Sequence, residues 1–124
     1  MRRTILMLAF VVVATLVAVP LAYAANFRCD QMPCVGTSKK DTISERAGNG
    51  KRDVIRAEGG KDRINVNRYG GDADSLYGGA GDDELSALDG DGRDYLNGGP
   101  GWDACAVDSG DRSSQCEVTG NRLF

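Results

Sequence analysis

The chain has no histidine, three prolines, one tryptophan and three phenylalanines in 124 residues. Without an imidazole there is no Ser-His-Asp or Cys-His catalytic pair, no HExxH zinc site and no histidine metal ligand. So little proline, with a net charge of only −3, excludes a collagen, a mucin or a polyelectrolyte tail. Long apolar runs are also scarce. Ile5 to Val19 is the single long one, interrupted by Thr15, and it is short for a membrane span, which needs about 20 apolar residues.

That run follows Arg2 and Arg3, ends at Pro20 and leads into Ala22-Tyr23-Ala24, a small-x-small cleavage pattern. Residues 1–24 are therefore expected to be a helical signal peptide, with an uncleaved anchor as the alternative. The mature chain, Ala25–Phe124, is expected to be secreted, extracellular and free of the membrane after cleavage. In an oxidising compartment the even set Cys29, Cys34, Cys105 and Cys116 reads as disulfides. Local pairing, Cys29–Cys34 and Cys105–Cys116, is the simplest of three connectivities. The spacings do not suit zinc.

Charge is unevenly spread. Residues 25–68 carry a net +4 and residues 69–124 a net −9. The basic half interleaves its cations with acids and has a single aromatic, Phe27, so no nucleic-acid partner is expected. The acidic half, rich in Asp and Gly, suits a hard cation with oxygen ligands.

Glycine, at 17 residues, is about twice as frequent as usual, and its placement is periodic. An Asp followed two residues later by an apolar residue recurs as Asp41/Ile43, Asp53/Ile55, Asp62/Ile64, Asp74/Leu76, Asp83/Leu85, Asp94/Leu96 and Asp103/Cys105. The spacings between these Asp residues are 12, 9, 12, 9, 11 and 9. Glycines gather before each Asp. The fullest copies are Gly78-Gly79-Ala80-Gly81-Asp82-Asp83-Glu84-Leu85-Ser86 and Gly98-Gly99-Pro100-Gly101-Trp102-Asp103-Ala104-Cys105-Ala106. Both fit Gly-Gly-x-Gly-x-Asp-x-apolar-x, a repeat signature to be sought before any local structure.

In these residues the sequence resembles the haemolysin-type, or repeats-in-toxin (RTX), calcium-binding nonapeptide repeat, as a small secreted bacterial member. The resemblance covers roughly Gly36 to Ala106. It implies an all-β, right-handed parallel β-roll with Ca2+ between stacked turns. Toxin or protease activity is not expected to carry over, since no catalytic or membrane-active domain is recognised beside the repeats in these residues. The expected layout is a signal peptide at 1–24, a disulfide-bearing cap at 25–35, repeats at 36–106 and a disulfide-closed cap and tail at 107–124.

The physics of the repeat agrees. Gly-Gly-x-Gly makes a tight turn with inward carbonyls, and x-apolar-x is a short strand with one side chain on the inner face. Coils of 21, 21 and 20 residues predict two stacks of Asp: Asp41, Asp62, Asp83 and Asp103 on one edge, and Asp53, Asp74 and Asp94 on the other. The extra residues of each coil, Ser44–Ala47, Asn65–Arg68 and Ser86–Leu88, predict a longer strand on one face. The inward set of Ile43, Ile55, Ile64, Leu76, Leu85, Leu96 and Cys105 is thin, so the fold needs staples.

Calcium is expected first between Asp83 and Asp103, with carbonyls near Gly79, Gly81, Gly99 and Gly101. Asp62 with Asp83 is a weaker gap on the same edge. On the opposite edge Asp74 pairs with Asp94, helped by Asp72, Asp89 or Asp91. In the first coils Lys39, Lys40, Lys51, Arg52 and Lys61 are expected to neutralise Asp41, Asp53 and Asp62 in place of metal. Asp89 to Asp94 fails as an EF-hand, with Arg93 and Pro100 at ligand positions. Trp102 is expected to pack as a lid over an end coil. No catalytic constellation stands out, so the chain is read as non-enzymatic. The alternative is a metal-independent, disulfide-stapled solenoid that binds an extracellular surface or polyanion.

Overall fold

The computed structural model describes residues 25–29, 33–45, 51–66 and 72–122. The expected signal peptide lies outside them. Eleven short strands form two parallel sheets, and no helix occurs among the described residues. The odd-numbered strands are β1 (Asn26–Cys29), β3 (Thr42–Glu45), β5 (Arg63–Asn65), β7 (Glu84–Ala87), β9 (Ala104–Val107) and β11 (Val118–Gly120). They pair in that order in one sheet. The even-numbered strands are β2 (Cys34–Val35), β4 (Val54–Arg56), β6 (Ser75–Tyr77), β8 (Tyr95–Asn97) and β10 (Arg112–Ser114), and they make the other sheet. The chain alternates between the sheets at every turn, so it is a parallel β-solenoid of about four coils.

The register follows from the coil length. Ile43, Ile64, Leu85 and Cys105 are partners in one sheet. Cys34, Ile55, Leu76 and Leu96 are partners in the other. The strands from β3 to β9 send a central side chain inward, and the seven residues expected there are fully buried. Ala57, Val66, Ala87 and Ala106 join them in the core. Val66 and Ala87 belong to the extra residues of the long half-coil. These residues partly lengthen the odd strands, β3, β7 and β9 having four residues against three in β4, β6 and β8, and otherwise widen the following loop.

Both disulfides pair locally: Cys29 with Cys34, and Cys105 with Cys116. The end segments read as caps are built into the sheets, since β1 pairs with β3 and β11 with β9. Trp102 corrects its expectation. It lies in the β8–β9 turn, with β10 and β11 beyond it, and is 59% exposed. More than half of its surface is open to solvent and the rest lines a groove with Lys61, Glu84 and Val118, so it is not packed as a closed lid.

Candidate metal centre

Two edges join the sheets. The turns after even strands, 36–41, 57–62, 78–83 and 98–103, form a glycine edge. The loops after odd strands, including 88–94 and 108–111, form a wider edge. From β3 to β10 each turn or loop ends in an Asp just before its strand, which places the Asp side chains in register on their respective edges.

The two predicted stacks are present and are joined by one repeated hydrogen bond. On the glycine edge the N–H of Asp41 donates to Oδ1 of Asp62 at 2.7 Å, Asp62 to Asp83 at 2.8 Å and Asp83 to Asp103 at 2.7 Å. On the wide edge Asp53 donates to Asp74 at 2.8 Å and Asp74 to Asp94 at 2.7 Å. Two residues outside the sequence reading end these ladders. Asp103 N–H donates to Oε2 of Glu117 at 2.6 Å, and Asp94 N–H to Oδ1 of Asp111 at 2.9 Å. Their separations of 14 and 17 residues break the 20–21 residue pattern, so periodicity gave no signal for them.

One oxygen of each carboxylate is thus used within the protein. The second is not. Oδ2 of Asp62, Asp74, Asp83, Asp94 and Asp103 is buried without a hydrogen-bond partner, and Asp72 has neither oxygen satisfied. Such orphans are uncommon in native proteins and cost about 1–3 kcal/mol each. Burial is the main reason that Asp62, Asp74 and Asp83 are pushed up to about 6 and Asp94 to about 7, with the N–H bond from the preceding coil partly opposing it. Neighbouring carboxylates add to the rise, Asp103 and Asp82 at Asp83, and Asp89, Asp111 and Asp74 at Asp94. Asp103 and Asp89 are raised for the same reasons.

Asp41 differs. Its carboxylate accepts the Ala25 N–H at 2.9 Å, the Thr37 N–H at 2.6 Å and the Thr37 hydroxyl. In that coil a threonine satisfies the Asp, while Lys39 and Lys40 stay exposed. The expected neutralisation of Asp41 by lysine is therefore replaced by hydrogen bonding.

The edges offer a cation different surroundings. On the glycine edge, Gly79, Gly81, Gly99 and Gly101 all have positive φ. A Cβ at Gly101 would run into the Gly81 carbonyl oxygen, and one at Gly99 into that of Gly79. These carbonyls face the next turn, as the nonapeptide pattern requires. On the wide edge, Asp89, Asp91 and Asp94 each place a carboxylate oxygen within 4.8 Å of the other two. Two oxygens bound to one calcium at 2.3–2.6 Å are at most about 5 Å apart. Buried unpartnered carboxylate oxygens, hard donors only and glycine carbonyls at close approach all fit calcium.

The sequence profile of the RTX calcium-binding nonapeptide repeat matches residues 47–68, 70–92 and 86–113, more than half of the chain. The chain belongs to the RTX calcium-binding repeat family. No curated protein and no solved structure matches it. In RTX terms the glycine-edge turns carry the nonapeptide signature. The wide-edge loops are RTX repeats lengthened by two or three residues, and in 89–94 Asp89 and Asp91 stand where the best glycine-edge turn has Gly78 and Ala80.

Proposed function

We propose that this RTX protein is an exported, non-enzymatic β-roll whose fold is stabilised by calcium in extracellular surroundings. One observation carries the reading. Along both edges, stacked Asp residues are held in register with one oxygen satisfied and the other buried and unpartnered. A bound Ca2+ would turn each of these orphans from a cost into a coordination bond. Because the core is thin, mostly one aliphatic side chain per strand with a few alanines beside it, the native state has reason to depend on the ion. Export rests on the N-terminal Arg-apolar-Ala-x-Ala pattern and on two disulfides.

The test is a thermal melt of the oxidised protein, followed by circular dichroism in chelator and in millimolar calcium. A site with a Kd near 10⁻⁴ M is about ten-fold saturated there, worth about 1.4 kcal/mol. For a chain of this size that is a rise of roughly 6–11 °C per site. Superimposable melts would sink the proposal. The metal-independent surface-binding solenoid would then stand in its place.

A further inference from the structure

We infer that the tightest calcium site of this protein lies on the wide edge, where the loops of three successive coils meet, and not between its two best nonapeptide turns. The inference rests on the calcium-binding reading above and assigns its location.

On the glycine edge the turns are already joined to each other through their backbones. Ala80 N–H donates to the Glu58 carbonyl at 2.9 Å and Gly60 N–H to the Ala80 carbonyl at 2.9 Å. Gly79 N–H donates to the Gly98 carbonyl and Gly81 N–H to the Pro100 carbonyl, both at 3.0 Å. The carbonyls of Glu58, Ala80, Gly98 and Pro100 are therefore engaged. Each coil then contributes one buried carboxylate, since Asp82 is exposed and accepts the Trp102 N–H at 3.0 Å. The backbone already joins these turns, and the carboxylates they can offer an ion are fewer than on the other edge.

The wide edge is the reverse. Asp72 and Asp74 come from one coil, Asp89, Asp91 and Asp94 from the next, and Asp108 and Asp111 from the third. Asp108 reaches back to the Gly90 N–H at 2.6 Å, while Asp111 accepts its own loop's Asp108 N–H at 2.7 Å and the Asp94 N–H at 2.9 Å. These bonds lay the 108–111 loop against the 89–94 loop. Within the cluster Asp94 is 1% exposed, and its Oδ2 has no partner. Asp72 is 5% exposed with both oxygens unsatisfied, and Oδ2 of Asp89 is a further buried orphan. Among the described residues the cations nearby are Arg93, paired with Asp91 at 3.4 Å, and Arg112, which with Arg93 and Asp94 lines a groove. Among the described residues, seven carboxylates against these two guanidiniums leave a negative excess, and oxygen donors suit a hard divalent ion. The positive φ values of Gly90 and Gly92 shape the loop that carries Asp89 and Asp91 inward.

Calorimetric titration of the oxidised protein with CaCl2, and with MgCl2 for comparison, tests this. Asp89→Asn with Asp91→Asn should weaken the tightest calcium binding at least ten-fold, with an unchanged β spectrum in chelator, because both side chains lie outside the Asp ladders. Asp108→Asn alone should weaken it several-fold, and serves should the double variant fail to fold. Asp83→Asn with Asp103→Asn should change it less than three-fold. Wild-type affinity in the Asp89/Asp91 variant, or loss in the Asp83/Asp103 variant, would overturn the assignment while leaving calcium binding intact. A wild-type protein that takes up no calcium would overturn the calcium reading itself, and the assignment with it.

Discussion

The backbone N–H of Asp74 donates to Oδ1 of Asp94, twenty residues later, at 2.7 Å. The same bond recurs coil after coil on both edges. The recurring Asp is thus a structural acceptor before it is a metal ligand, and the two roles fall on different oxygens of one carboxylate.

Separating those roles gives a first prediction. Asp83→Ala should leave the buried Asp62 N–H without an acceptor and cost about 1–3 kcal/mol in chelator. Asp83→Asn keeps an acceptor oxygen and should cost less than half as much. Denaturant unfolding of the apo protein compares the two, and equal losses would show that the ladder bond contributes little.

Stability in chelator should fall as the pH rises, while the gain produced by calcium should increase. Asp62, Asp74 and Asp83 are pushed up to about 6 and Asp94 to about 7 in the fold, against about 3.9 in an unfolded chain. Folding therefore takes up protons between these values. The contribution of these groups to stability is fully present below about pH 4 and is lost as the pH rises through 6 to 7. In chelator the melting temperature should fall from pH 5 to pH 7.5. The rise produced by calcium should grow over the same interval, because the ion requires the ionised carboxylates. A chelated protein that becomes more stable toward pH 7.5 would contradict this.

Glu58 adopts φ +76°, at the turn position that Gly79 and Gly99 fill in the next two coils. A left-handed conformation costs a residue with a Cβ roughly 1–2 kcal/mol, and glycine returns about 0.5–1 kcal/mol of that in backbone entropy. Glu58→Gly should stabilise the protein by about 0.5–1 kcal/mol, read as a higher urea midpoint with an unchanged slope.

The Cys105–Cys116 bond closes a short loop and ties the buried centre of β9 to the segment that enters β11. Replacing both cysteines by Ala should cost about 3 kcal/mol by the loop-entropy relation. Loosening should be confined to β10 and β11, seen as faster amide exchange there while β5–β8 stay protected.

Much of this architecture was legible in the sequence because a solenoid turns spacing into geometry. A coil of 20 or 21 residues places Asp41, Asp62, Asp83 and Asp103 on one edge, and Asp53, Asp74 and Asp94 on the other. It also puts Ile43, Ile64 and Leu85 directly above one another. Strand alternation then fixes which side chain faces inward. The local cysteine pairs followed from the same economy, each joining residues near in sequence at one end of the stack.

Tertiary structure alone decided where the pattern lapses. The sequence offered Asp72, Asp89 or Asp91 as alternative helpers of Asp94; that Asp89, Asp91 and Asp94 converge together depends on how the loop bends at Gly90 and Gly92. The ladder ends at Glu117 and Asp111 were invisible because the last coil is shorter than the repeat. The exposure of Trp102 depended on its place in a turn, which its hydrophobicity argued against. Periodicity specifies what every coil must share. The loops, which share nothing but their end points, take their form from the backbone bonds and buried charges that surround them.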